Sequence, residues 1–265
     1  MPLVLNEEQQ LLKSMAEEFF RHKAPVSALR SLRDTRDVNG FSHPLWQEIV
    51  AMGWAGASLP EQYGGLGLGF TELGVVLQAS GRTLVASPLL SSVVLCASAI
   101  LLGGSEMQKS SLLPRIASGD LLLSLALQEG PHHNPSAVAT TATVHAGGYL
   151  LNGSKVHVLD GHFAEQFIVA ARTAGANSDE HGISLFLVKR DRSGVSVERR
   201  AMVDSRNMAA VRLQDVVVSA ADLLGELHNG YPLLCRVLDR GNIALAAEML
   251  GSLQAAFEVF PSVTS

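Results

Sequence analysis

Only two cysteines occur in the 265 residues, Cys96 and Cys235. They stand far apart in apolar runs, which excludes a disulfide framework and a thiol-rich metal site and suits a reducing cytosol. Charge is also sparse, at 17% of residues, with 20 basic against 25 acidic side chains and a net charge of −5. No basic block is present, so the clustered Lys and Arg of a nucleic-acid footprint are missing, and nucleic acid is not an expected partner. Residues 1–10 bring Glu7 and Glu8 but no basic or long apolar leader. Neither a secretory signal nor a transit peptide is read there, and the expected compartment is the cytoplasm.

Long hydrophobic runs are equally scarce. The uncharged stretch 83–105 is about as long as a membrane span, but Pro88 and four serines (Ser87, Ser91, Ser92 and Ser98) interrupt it. The aromatic and Lys/Arg flanks that anchor spans are absent too. A helix buried in a bundle is therefore expected, with no membrane span.

What the chain has is apolar content, 47% of residues, and a length suited to about two domains. Up to about residue 119 the pattern is helical. Asn6 with Gln9 forms a capping box, Glu7 and Glu8 sit in the positive first turn, and Arg21, His22 and Lys23 in the negative last turn. Leu12, Met15, Phe19 and Phe20 then share one face of a helix ending before Pro25. Pro44 starts a second helix that Gly53 stops, Thr71 opens a third that Gly81 closes, residues 88–102 make a fourth, and Ser105 with Gln108 caps a fifth that closes at Gly119.

From Leu121 the period drops from about 3.6 to 2 and β-branched residues crowd in, the mark of a sheet. Strands are expected over 138–145, 149–151, 155–159, 166–171, 183–189, 195–197 and 211–218. Ala146-Gly147-Gly148 links the first two, and Asn152-Gly153 reads as a two-residue hairpin turn. No helix of useful length intervenes, so an antiparallel barrel or sandwich is expected, not a Rossmann unit. After Gly225 and Gly230 the helical period returns. Ile243, Ala246, Ala247, Leu250, Leu253, Phe257 and Phe260 line one apolar face that needs a partner, and the chain stops abruptly at 261–265. The fold class is thus α+β: an all-α bundle over 1–119, a β domain over 120–226, and over 227–265 the start of a further, apparently truncated, helical domain.

Familiar catalytic patterns are few. The run 64–69, Gly-Gly-Leu-Gly-Leu-Gly, lacks the preceding strand and following lysine of a phosphate loop and reads as a connection between helices. His132, His133, His157 and His162 have no metal-ligand spacing and no carboxylate cluster to complete them, so no metal is expected. There is no G-x-S-x-G elbow and no Cys–His pairing. Asp239 and Glu248 could act as bases, although carboxylates on a helix are most often merely solvated.

Three ordered strings carry a resemblance. Residues 60–67, Pro-Glu-Gln-Tyr-Gly-Gly-Leu-Gly, together with Leu112-Leu113-Pro114 through Gly119 and Leu150-Leu151-Asn152-Gly153-Ser154-Lys155, resemble the acyl-CoA dehydrogenase family, as do Leu238-Asp239-Arg240 and residues 245–254. The resemblance covers nearly the whole chain but about the first two-thirds of a typical member. It implies an FAD-dependent oxidoreductase of fatty acid metabolism, a flavoprotein that removes the α-proton and β-hydride of an acyl-CoA. The enolate that develops is held by hydrogen-bond donors and FAD is the electron sink. It also implies a homo- or hetero-oligomer, a dimer or tetramer. Carried over by residue, Leu127-Gln128-Glu129-Gly130 takes the place of the family's x-[ST]-E-P segment at the flavin, with Leu127 and Gln128 as contacts. Asn134 stands where a serine is usual, and His157 and Leu159 stand where Trp and Thr or Ser flank the ring. The family's glutamate base falls either at Gly241, followed here by Asn242 where arginine is common, or in a loop beyond residue 265, so the catalytic residue is unknown. The alternative implied is a non-catalytic or truncated family subunit serving as structural partner of an active one.

Overall fold

The structure, a computed structural model, describes residues 4–259, so Phe260 and the tail 261–265 lie outside the described residues. The described residues form two compact units, one of 4–90, 117–119 and 240–259, the other of 91–116 and 120–239.

The first unit opens with helices α1 (Glu7–Lys23), α2 (Val26–Asp34), α3 (His43–Ala51) and α4 (Phe70–Arg82). The Asn6 side chain accepts the Gln9 N–H at 2.8 Å and Gln9 reaches back to the Asn6 N–H at 3.0 Å, so the expected capping box sets the start of α1. Phe20, Trp46, Ile49 and Trp54 are among the large buried side chains of this unit. Helix α2 has no sequence expectation behind it: Val26, Leu29 and Leu32 share one half-buried face, but the stripe is short and none of its residues is fully buried. The glycine-rich connection folds on itself. Leu66 N–H goes to Gly56 O at 3.0 Å, Gly67 N–H to Leu59 O at 2.8 Å and Leu68 N–H to Ala57 O at 2.9 Å, so these amides serve the loop and are not presented to an anion.

The uncharged run becomes a π-helical stretch, Leu89–Cys96, followed by α5 (Ala97–Gly103). Among the described residues no helix is long and apolar enough to cross a membrane. Helix α6 (Glu106–Ala117) starts at the expected Ser105–Gln108 box. The sheet of the second unit comprises β1 (Leu123–Ala126), β2 (Thr141–His145), β3 (Gly148–Leu159), β4 (Gln166–Arg172), β5 (Ile183–Lys189), β6 (Val195–Arg200), β7 (Met208–Ser219) and β8 (Leu223–Leu224). Its order is β6-β7-β3-β2-β4-β5-β8, with β1 also on β4. Helix α7 (Tyr231–Val259) follows, and the architecture is the expected α+β.

Two details differ from the sequence expectation. The sheet is mixed: β1 runs parallel to β4, and Thr141 pairs in parallel with Arg172, while the other strand pairs are antiparallel. Every residue of β4 is buried, as its unbroken apolar run would suggest for a strand covered on both faces. Asn152-Gly153 is not a turn. Strand β3 passes straight through it with a register shift against β7, and a Cβ on Gly153 would stand 2.7 Å from the Thr140 Cα. The glycine admits a close neighbour at a bulge, while the real two-residue turn is Ala146-Gly147, both at positive φ (44° and 79°).

Candidate functional site

Strand β3 carries a second irregularity, between Lys155 and Val158, where pairing with β7 slips. Within it His157 takes φ +51° and is exposed, while Lys155 points inward and is fully buried. The bulge frees the Val156 N–H from the strand ladder, and it donates instead to Gln128 O at 2.7 Å. A bulge used to re-aim side chains beside a loop is common next to functional sites. It is what brings the segment after β1 against β3.

That segment is held by buried charge. Lys155 Nζ donates to Leu127 O at 3.2 Å and to Glu129 Oε1 at 2.5 Å. Glu129 in turn accepts the N–H of Ala139 at 2.7 Å and of Thr140 at 3.0 Å. Burial pushes the Lys155 ammonium down to about 8, and the attraction of Glu129 opposes that fall without cancelling it. Burial also disfavours charge on Glu129, but Lys155 and the hydrogen bonds it accepts outweigh this and hold its carboxyl below the usual range.

The Gln128 side chain is equally specific. Its amide nitrogen donates to Gly130 O at 2.9 Å and to His132 O. Both partners are carbonyls, so the nitrogen must face them and the amide oxygen must face away. That Oε1 is buried and has no hydrogen-bond partner among the described residues. A buried acceptor without a donor costs of order 1–3 kcal/mol, which a ligand N–H or O–H would recover. The donor set of FAD, a ring N–H and ribityl hydroxyls, matches that acceptor.

Of the five residues expected to contact flavin, Leu127, Gln128 and His157 are gathered by the Lys155 and Val156 bonds around the bulge. Leu159 is half-buried two residues beyond, and its carbonyl is taken by Ser124 Oγ at 2.8 Å. Asn134 is exposed farther along the loop, accepting from Ser136 Oγ at 3.0 Å. Sequence reasoning missed Lys155, Glu129 and Arg172 as parts of this arrangement. The available signal was a lysine at an inward position of an alternating strand. Asp239 is exposed on α7 and Glu248 is buried at 7% exposure, while Gly241, the position of one family base, is buried and Asn242 exposed. His132 and His133 are both exposed in the loop, and among the described residues no group of three or more His, Cys, Asp and Glu could hold a metal.

Comparison with known proteins converges on one family. Residues 6–120 match the acyl-CoA dehydrogenase N-terminal domain and residues 129–216 its middle domain. An acyl-CoA dehydrogenase of Bacillus subtilis is 32% identical over 262 residues, covering 96% of this chain and 67% of its own length. The structure of butyryl-CoA dehydrogenase from Megasphaera elsdenii superimposes with a TM-score of 0.85 at 28% identity, covering 97% of this chain and 68% of that one. An acyl-CoA dehydrogenase from Bacillus anthracis, solved in complex with FAD, gives a TM-score of 0.84 at 27% identity over 98% of this chain and 45% of its own. The chain spans 60–67% of the length of the first curated relatives it matches. With both domain matches in sequence order and a relative 32% identical over 96% of the chain, the chain belongs to the acyl-CoA dehydrogenase family.

Proposed function

We propose that this chain carries a flavin half-site and acts as an FAD-dependent acyl-CoA dehydrogenase, oxidising the α,β-bond of an acyl-CoA thioester. The observation that carries the reading is the buried, donor-less Oε1 of Gln128 in a loop pinned to the β3 bulge. When bound, FAD would supply a two-electron acceptor for hydride, a chemistry that no side chain can offer.

The residues of the chain do the holding. Leu127 and Gln128 would present a main chain fixed by Lys155 and Val156, and the Gln128 oxygen would accept a hydrogen from the cofactor. His157, exposed at the bulge, offers an aromatic face, and Leu159 an apolar wall that excludes water without a side-chain hydrogen bond. Asn134 would add a polar contact at the loop's outer end. Removal of an α-proton needs a base, and that role is assigned to no residue of this chain. The reading includes the division into 1–119, 120–226 and 227–265, a cytoplasmic location, a place in fatty acid metabolism, and assembly into a homo- or hetero-oligomer. Assembly is supported by the exposed apolar side chains of α7.

The test is the visible absorbance of the purified chain before and after FAD is added and free flavin removed. Retained yellow colour is expected, and an acyl-CoA that bleaches it would identify the substrate class. A chain that stays colourless in excess FAD would overturn the reading.

A further inference from the structure

The loop between β1 and β2 is closed at its neck by two cations that show almost no surface. Lys155 is 0% exposed and Arg172 6%. Lys155 binds the loop's first residues through Leu127 O and the Glu129 carboxylate, and that carboxylate also accepts the N–H groups of Ala139 and Thr140 at the loop's last residues. One ion pair therefore ties together residues ten and eleven positions apart. Arg172 secures the far side. Its guanidinium donates to Ser136 O at 3.0 Å and Val138 O at 3.2 Å in the loop, and to Asn177 O, Asp179 O and His181 O in the turn after β4. Residues 131–134 lie outside both ties and are exposed.

A buried ion pair is weak evidence of stabilisation, because desolvating two charges can cost more than their attraction returns. What it does supply is direction: a carboxylate with two N–H donors and an ammonium around it has few alternative geometries. We propose that Glu129 and Lys155 are positioning residues for the bound cofactor, closing the loop so that the Gln128 main chain and amide keep one setting against the β3 bulge. The inference rests on the flavin reading above and deepens it. Arg172 anchors the same loop through separate hydrogen bonds, all of them to carbonyls.

The experiment compares the whole chain with Lys155→Met, Glu129→Gln and the double variant. Amide hydrogen exchange at Ala139 and Thr140, without FAD, reads the clamp directly. FAD titration and the long-wavelength absorption band of bound flavin, recorded at saturating FAD, read the positioning. Each single variant is expected to exchange faster at both amides, to bind FAD about tenfold more weakly, the loss of roughly one well-placed hydrogen bond, and to shift the band at full occupancy. The double variant, which neutralises both members of the pair together, is expected to regain thermal stability lost by the singles yet keep the weak binding and the shifted band. Unchanged exchange in the single variants would overturn the clamp. Faster exchange with native affinity and an unshifted band would overturn the positioning role. A native chain that takes up no FAD would overturn the flavin reading and the positioning role with it, whatever the exchange shows.

Discussion

Val156 gives its N–H to the carbonyl of Gln128 at 2.7 Å, and it can do so only because β3 slips register there and releases the N–H from the ladder. The same slip turns the neighbouring His157 outward. The amide of Gln128 is spent on two carbonyls, so the side chain acts as an acceptor toward any ligand and as a staple within its loop. Gln128→Ala removes both functions. FAD affinity is expected to fall about tenfold, the order of one lost hydrogen bond with part of its loop order. Gln128→Glu should do worse, since a carboxylate cannot donate to Gly130 O and His132 O. Isothermal titration with FAD would check both, and an equal affinity for Gln128→Glu would contradict the donor assignment.

Much of this fold is legible in the sequence, because caps and apolar spacing are local signals. The Asn6–Gln9 and Ser105–Gln108 boxes place two helix starts, and the period change at Leu121 precedes β1. Helix α2 was harder to read, since its stripe of Val26, Leu29 and Leu32 spans only two turns and is half-buried at most. Asn152-Gly153 misleads for a related reason. A turn and a bulge both call on glycine, and only the approach of Thr140, from an earlier part of the chain, distinguishes them. The candidate site was half legible. Leu127 and Gln128 follow from a string, but the burial of Lys155 and the five carbonyls gathered by Arg172 depend on strands meeting in space.

Leu159 is where a hydroxyl could be restored. Its carbonyl is already occupied by Ser124, so a threonine there would leave that bond in place and add a donor on the side chain. Leu159→Thr is expected to tighten FAD binding by about fivefold, equivalent to ~1 kcal/mol for one net hydrogen bond. Unaltered affinity in the same titration would mean that the flavin does not lie along this strand.

The depressed pKa of Lys155 makes stability depend on pH in a definite direction. Folded, the ammonium releases its proton near 8, whereas in the unfolded chain it does so near 10.5. Between those values the unfolded chain binds more protons, so this group's contribution to unfolding free energy rises with pH. The Glu129 pKa is lowered as well, and for a carboxyl this contributes stability that is lost only in acid, as pH falls through its folded value. Arg172 also lowers the Lys155 value, and burial pulls its own guanidinium down from the usual range. Denaturant unfolding of native and Lys155→Met chains from pH 8 to 10.5 should therefore show the native chain gaining on the variant as pH rises. Parallel curves would place the titration elsewhere.

Within the first unit, α4 and α7 approach closely enough to need glycine on each. A Cβ at Gly81 would lie 2.0 Å from Glu248 O, and one at Gly251 would lie 1.8 Å from Gln78 O. Both obstacles are backbone, so neither can swing aside. Gly251→Ala is expected to cost at least ~2 kcal/mol by overpacking and to lower Tm by about 5 °C or more. Gly130→Ala, with nothing near its added Cβ, serves as the neutral control. Calorimetry on the two variants checks the difference.

Because α7 meets α4 through its small residues, its large apolar ones are left on the other side. Ile243, Leu250, Leu253 and Phe257 are 59, 46, 56 and 71% exposed, on the face that helical spacing marks as apolar. Gln78 to Gln254 at 2.9 Å and Arg82 to Glu258 at 2.6 Å fasten the helix without covering that face. A contiguous apolar stripe of this kind favours association, since each such side chain gains roughly 1.5–3 kcal/mol on full burial. Light scattering of the purified chain above micromolar concentration should therefore show species larger than the monomer. Leu253→Glu with Phe257→Glu should return it to monomer while changing monomer stability by no more than about 1 kcal/mol, because neither side chain packs in its own unit. A native chain that stays monodisperse and monomeric would remove the need for a partner at α7. A double variant that unfolds would instead mean that the stripe is covered within the chain itself.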